Sequence, residues 1–278
     1  MASDLESQMV GVERLREYIA APQEAPHFLP LADPPRAWPP QGAVRFSAVS
    51  MRYREGLPLV LRNVSLDIRP REKIGICGRT GSGKSSLVTA LLRLVECSSG
   101  AIFIDGIDIA EIGLHALRSR VSFISQDPCL FSGDIRANLD PFNLHWDDKV
   151  RDGLRRIGLA GCALTDKVEE NGANFSVGQR QMLCIVRALL GDCKIIVMDE
   201  ATASIDVGVD QQIQRAIREE CKDAVVLTIA HRLNTILDST RVVVMDGGSV
   251  LEFDSPGNLL SNPTSAFAQL VASWEADK

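Results

Sequence analysis

The chain has 278 residues, 45% of them hydrophobic, and a formal net charge of -6, which suits one large α/β domain with a substantial core. A pI near 5.3 argues against a general nucleic-acid binder, which would carry a basic face. Seven scattered cysteines with no CxxC pair imply neither a disulfide frame nor a zinc site and suggest a reducing compartment; no apolar run approaches the ~18 residues of a membrane helix, and the N-terminus lacks a secretory-signal pattern.

Leu5, Met9, Val12, Leu15 and Ile19 share one helical face between residues 4 and 19, predicting an amphipathic helix. It reads either as a loosely attached terminal element or as a coupling element of a larger protein. Pro22, Pro26, Pro30, Pro34, Pro35, Pro39 and Pro40 follow; such a stretch can neither continue a helix nor pair as a central strand, so residues 20–41 read as a linker.

The pattern changes at Ala43. Val44 and Phe46 alternate, then Val49, Met51 and Tyr53 continue after a slip in phase, and Val64, Leu66 and Ile68 form a second alternating run. Asp105-Gly106 and Gly247-Gly248 mark turns between short apolar segments, and together these predict an antiparallel β portion. Short apolar strands at 74–77, 121–124, 195–198 and 225–229, several followed by helical patterns, predict a parallel sheet core. Helical faces are expected at Leu87, Leu91 and Leu94; Val150, Leu154 and Ile157; Met182, Val186 and Leu189; and Phe267, Leu270, Val271 and Trp274.

Two segments carry phosphate chemistry. Gly78, Arg79, Thr80, Gly81, Ser82, Gly83, Lys84 and Ser85 match the P-loop pattern between a strand and a helix, with Ser86 beside them. Glycines let backbone N–H groups turn inward to cradle phosphate oxygens, and the helix beginning near Lys84 adds the positive end of its dipole. Lys84 is expected to reach the β and γ phosphates, and the Ser85 hydroxyl to ligate Mg²⁺. The second segment is an apolar strand ending in Asp199 and Glu200, which must emerge where α/β sheets bind ligands. Asp199 suits an outer-sphere Mg²⁺ contact and Glu200 the polarising of an attacking water.

Phe175, Ser176, Val177, Gly178 and Gln179 lie shortly before the Asp199-Glu200 strand and resemble the signature of ABC transporter nucleotide-binding domains. Ala203, Ser204, Ile205 and Asp206 look like that family's D-loop, and the segment 228–232 with His231 looks like its switch histidine. The phrases 138–142 and 199–206 are most similar to the C subfamily, the multidrug-resistance-associated proteins, and the whole resembles a second cassette. The resemblance implies a P-loop NTPase fold of the ABC type: a RecA-like parallel sheet core, an antiparallel β subdomain and a helical signature subdomain. It implies that residues 1–42 join a preceding transmembrane domain to a nucleotide-binding domain at 43–278, on the cytoplasmic face of a membrane.

The implied cofactors are ATP and Mg²⁺. Tyr53 would stack on adenine, Gln126 would contact Mg²⁺ or the attacking water, and His231 would meet the γ-phosphate. Ser176, Gly178, Gln179 and Asp206 would serve nucleotide bound across a head-to-tail pair of cassettes; Ser176, read as an N-cap, would leave helix amides available to the phosphate. Two departures stand out: Val177 occupies a usual glycine position, predicting a weak donated signature and an asymmetric pair, and the 159–174 span looks several residues short. The function implied is ATP hydrolysis powering export of organic anions, drugs or thiol conjugates. The alternatives are a regulatory nucleotide sensor gating a channel, and a soluble cassette of translation or DNA maintenance, which would need a second cassette or a coiled-coil insertion.

Overall fold

The computed structural model describes residues 2–21, 23–35, 37–199, 207–229 and 236–276. Its strands are β1 (Val44–Met51), β2 (Leu61–Ile68), β3 (Lys73–Gly78), β4 (Ser99–Ile104), β5 (Ile107–Asp108), β6 (Val121–Ile124), β7 (Gly133–Asp134), β8 (Lys167–Val168), β9 (Ile195–Asp199), β10 (Val225–Ile229), β11 (Arg241–Asp246) and β12 (Ser249–Asp254). Its helices are α1 (Ala2–Ala20), α2 (Lys84–Leu91), α3 (Leu114–Arg118), α4 (Ile135–Leu139), α5 (Asp147–Arg156), α6 (Val177–Leu190), α7 (Val207–Glu220), α8 (Pro256–Ser261) and α9 (Ala266–Ala276).

Among the described residues, β2-β1-β4-β5 form an antiparallel sheet, and a larger sheet runs β12-β11-β3-β10-β9-β6. The phase slip in β1 is a bulge. Ala48 takes φ 50°, and the register with β2 shifts between Phe46 and Val49, returning Val49 and Met51 to the buried face. β11, β3, β10, β9 and β6 pair in parallel, giving the expected core. One expectation needs correcting: the Gly247-Gly248 hairpin belongs to the large sheet, because β11 pairs in parallel with β3 while β12 returns antiparallel at the edge. The diglycine turn predicts a hairpin and carries no information about which third strand it joins.

The parallel strands are apolar throughout because both faces are covered. Ile195 and Val197 face the core shared with α2 and the antiparallel sheet, whereas Ile196 and Met198 face the core under α5, α6 and α7. This two-residue alternation makes β9 the wall between two hydrophobic cores. A third core docks α9 through Phe267 and Val271 onto Cys77, Val242 and Val244. Leu94 departs from its predicted helical face: α2 ends at Leu91 and Leu94 is exposed. Arg93 adopts φ 48°, and its buried guanidinium donates to the Ile109 and Ile112 carbonyls, turning the chain away before Leu94 can pack.

Met9, Val12, Leu15 and Ile19 on α1 are all exposed. The proline-rich segment behind it is tied down at several points. Glu24 pairs with Arg118 at 2.8 Å, and Asp33 accepts from the Gly113 N–H at 2.7 Å. Trp38 is buried with its indole N–H on the Ile104 carbonyl, and the Asp105 carboxylate accepts from the N–H groups of Gln41, Gly42 and Ala43. Within 159–174, Leu164 and Val168 are buried and β8 pairs with β7, so the segment folds back onto α4 before reaching the signature.

Candidate functional site

β3 ends at Gly78 and α2 begins at Lys84, so the P-loop lies between a buried strand and a helix N-terminus. Gly78 has φ 145°, and a Cβ there would fall 2.2 Å from the Met245 carbonyl oxygen and 2.8 Å from Ser82 Oγ. Only glycine permits that approach. Gly83 is the N-cap of α2 in a left-handed conformation, φ 101°. It has no side chain to accept from the first-turn N–H groups, which an N-cap serine or aspartate would do. A helix start with no side-chain cap, preceded by a glycine-rich turn, fits a phosphate group.

Lys84 is buried and donates through Nζ to the Gly78 and Arg79 carbonyls at 2.8 and 3.1 Å, holding the loop closed on itself. Ser85 is exposed on the first turn of α2, while Ser86 is buried. Ser82 Oγ is buried without a hydrogen-bond partner. Beneath the loop, burial pushes the Cys77 thiol up to about 12 against the opposing pull of Lys84, so it remains a neutral packing group. Tyr53 lies just past β1 with its ring partly exposed, and its hydroxyl is 3.0 Å from Ser86 Oγ. That contact brings an aromatic face to the head of α2. A separate cavity of about 480 Å³ opens between Arg79, Thr80, Asp246, Leu270 and Trp274. Lys84, Ser85 and Tyr53 are not among its walls, so it adjoins the phosphate cradle without being it.

Asp199 is the last residue of β9, separated from β3 by β10, and Gln126 lies two residues beyond β6 in an exposed loop. Because these strands run parallel, the P-loop, Asp199 and Gln126 all emerge at the carboxyl edge of one sheet. An acceptor oxygen at Asp199, a hydroxyl at Ser85 and an amide at Gln126 form a donor set of the oxygen type that Mg²⁺ takes. Glu200, Asp206 and His231 lie outside the described residues, as do Ala203, Ser204 and Ile205.

The signature serine is the N-cap of α6, as expected. The expectation that its helix amides stand open is only partly right. Ser176 Oγ accepts from the Gln179 N–H at 3.2 Å, and Gln179 Oε1 accepts from the Ser176 N–H at 3.0 Å, forming a reciprocal capping box. Gln179 thus stabilises the helix start in this chain. Val177 opens α6 and is exposed, with Gly178 behind it. The sequence reading missed Gln181 and Arg187. Gln181 is 1% exposed and donates to the Ser125 carbonyl, and Arg187 donates to the Cys129 and Asn138 carbonyls. Both lie off the apolar face of Met182, Val186 and Leu189, so the helical pattern carried no signal of these contacts.

Residues 61–203 match the ABC transporter family. The chain is 52% identical over 276 residues to ABC transporter C family member 3 of Dictyostelium discoideum, covering 97% of this chain and 20% of that protein. It is 50% identical over 267 residues to human ATP-binding cassette sub-family C member 3, covering 94% of this chain and 18% of that one. The chain therefore spans about a fifth of the length of these relatives. A solved bacterial Atm1-family ABC exporter with ATP bound superposes with a TM-score of 0.86 at 26% identity, over 97% of this chain and 48% of that one. With a P-loop, a strand-end carboxylate and a capped signature helix built onto this sheet, the chain belongs to the ABC transporter family, as an ATP-binding cassette of the C subfamily, the multidrug-resistance type.

Proposed function

We propose that this cassette hydrolyses Mg-ATP to power export by a C-subfamily transporter, resembling its second cassette, with organic anions, drugs or thiol conjugates as cargo. The observation that carries the reading is the convergence of an uncapped α2, Lys84, Asp199 and Gln126 at one sheet edge. Bound Mg²⁺ would supply charge neutralisation between phosphate oxygens, held by Ser85, Gln126 and Asp199. Lys84 releases the loop carbonyls to meet phosphate oxygens, Tyr53 offers its ring to adenine, Glu200 orients water and His231 approaches the γ-phosphate.

Completion of the site falls to a second cassette in head-to-tail pairing, whose signature faces this P-loop. Asp206 and this chain's own Ser176, Gly178 and Gln179 serve the shared interface in return. Val177 restricts the backbone at a position that favours glycine, so this chain's P-loop site is the faster of the two and the reciprocal site holds ATP longer. Residues 1–42 join the cassette, 43–278, to transmembrane domains at the cytoplasmic face. The exposed side chains of Phe131, Phe142, Leu144 and Trp146 in one stretch of the helical part support such a docking face.

The test is steady-state ATPase with the partner cassette supplied, comparing wild type with Glu200→Gln. Turnover should fall about 10²- to 10⁴-fold while ATP binding persists. Undiminished turnover in the variant would refute the assigned base.

A further inference from the structure

All seven cysteines are described, and Cys129 alone among them is exposed. It sits three residues beyond Gln126 on the loop after β6. The opposing surface is one face of α6, where residues 181, 184 and 187 recur at helical spacing. Gln181 Nε2 holds the Ser125 carbonyl at 3.3 Å, Cys184 Sγ lies 3.9 Å from the Cys129 carbonyl oxygen, and Arg187 Nη1 holds that same oxygen at 3.2 Å. Two of these groups are incompletely satisfied: Gln181 Oε1 and Arg187 Nη2 are buried without partners. The seam is therefore close but held by few bonds.

We propose that Cys129 and Cys184 form a redox-responsive thiol pair, which a small disulfide of the glutathione class converts to an intramolecular disulfide stapling the Gln126 loop to the signature helix. The two thiols are unlike. Cys129 is open to solvent, whereas burial raises the pKa of Cys184, with Arg187 and the hydrogen bond to the Cys129 carbonyl pulling it back. Cys129 thiolate attacks one sulfur of the small disulfide, forming a mixed disulfide and expelling one thiolate. Cys184 then loses its proton to solvent and attacks the Cys129 sulfur, expelling the second thiolate. Both leaving groups take up protons, so two protein thiols are oxidised and one small disulfide is reduced to two thiols. Burial raises Cys77, Cys97 and Cys221 to about 12, 11 and 11 and also raises Cys162 and Cys193, and of the part-buried thiols only Cys184 lies against the Cys129 backbone.

The staple would fix the spacing between the loop bearing Gln126 and the helix capped by Ser176. Its effect on transport rests on the function proposed above; the thiol pair itself does not.

The test takes the reduced 278-residue chain, treats it with oxidised glutathione, alkylates remaining thiols after unfolding, and maps peptides by mass spectrometry. A peptide joining Cys129 to Cys184, lighter by two hydrogens, is expected, with the other five cysteines alkylated. Cys184→Ser should stop at a stable glutathione adduct on Cys129, and Cys129→Ser should leave Cys184 unmodified. Amide exchange across 125–131 should slow about tenfold on oxidation and recover with dithiothreitol. Wild type arresting at the Cys129 adduct, Cys129 pairing with another cysteine or another molecule, or unchanged exchange would each overturn the proposal. None of these readouts depends on ATP turnover.

Discussion

Replacing Glu252 by glutamine isolates one carboxylate that fastens the C-terminal helix. Glu252 lies on β12 and caps the start of α9: Oε2 accepts from Ser265 Oγ at 2.8 Å and the Phe267 N–H at 3.0 Å, while Oε1 accepts from the Ala266 N–H at 2.8 Å. Burial alone would raise its pKa, but these three donors outweigh it and hold the carboxyl below its ordinary 4.5. A hydrogen bond to a charged acceptor is worth about 1.5–3 kcal/mol, against roughly 0.5–1.5 for a neutral one. Glutamine keeps the shape, loses the charge and turns an NH₂ toward one of the three donors. The expected loss is therefore about 2–3 kcal/mol at neutral pH, within the range for a lost charged cap.

The sign with pH follows from the lowered value. Stability from Glu252 is fully present above 4.5 and is lost as pH falls through the lower folded value. Urea unfolding of wild type and Glu252→Gln at pH 7 and at successively lower pH measures it, and the two curves should converge in acid. A penalty that persists unchanged below pH 4 would mean that packing, not charge, was lost. No penalty at pH 7 would refute the capping argument.

Tyr53→Ala should weaken ATP binding by about 1–3 kcal/mol, some 5- to 150-fold, because it removes the aromatic face, while Tyr53→Phe stays within a few-fold; titration with a fluorescent ATP analogue decides, and equal affinity for the alanine variant would remove Tyr53 from the site. Gly78→Ala places a Cβ 2.2 Å from the Met245 carbonyl oxygen at φ 145°. Strain of about 1–3 kcal/mol or more should lower the thermal midpoint and abolish ATP binding, and a variant that melts and binds like wild type would contradict the loop geometry.

What could be read from sequence divides by range. The strand–turn–helix at 78–84 and the strand ending at Asp199 were legible because each sits in a local pattern whose backbone consequence is fixed, glycine spacing in one and an apolar run before a carboxylate in the other; the role of Tyr53 came only from the family resemblance. The bulge at Ala48 was legible too, as a slip in phase. What stayed hidden depends on contacts far apart in the chain. No local signal tells that β11 lies beside β3, or that Glu252 caps a helix beginning at Ala266. Proline content predicted a linker, correctly excluding helix, yet it could not reveal that Trp38 and Asp105 pin the segment to the domain. The capping box at Ser176 is a miss of another kind: Ser-x-x-Gln is a local helix-start signature, and the family resemblance assigns Gln179 to the nucleotide instead of to closing it.

A crystal structure of this chain with Mg²⁺ and a non-hydrolysable ATP analogue bears most directly on the whole account. Phosphate oxygens should accept from the amides at the head of α2, with the metal between Ser85 and Asp199 and adenine against Tyr53. Nucleotide lodged instead in the cavity between Thr80 and Trp274, with the first turn of α2 bare, would contradict it.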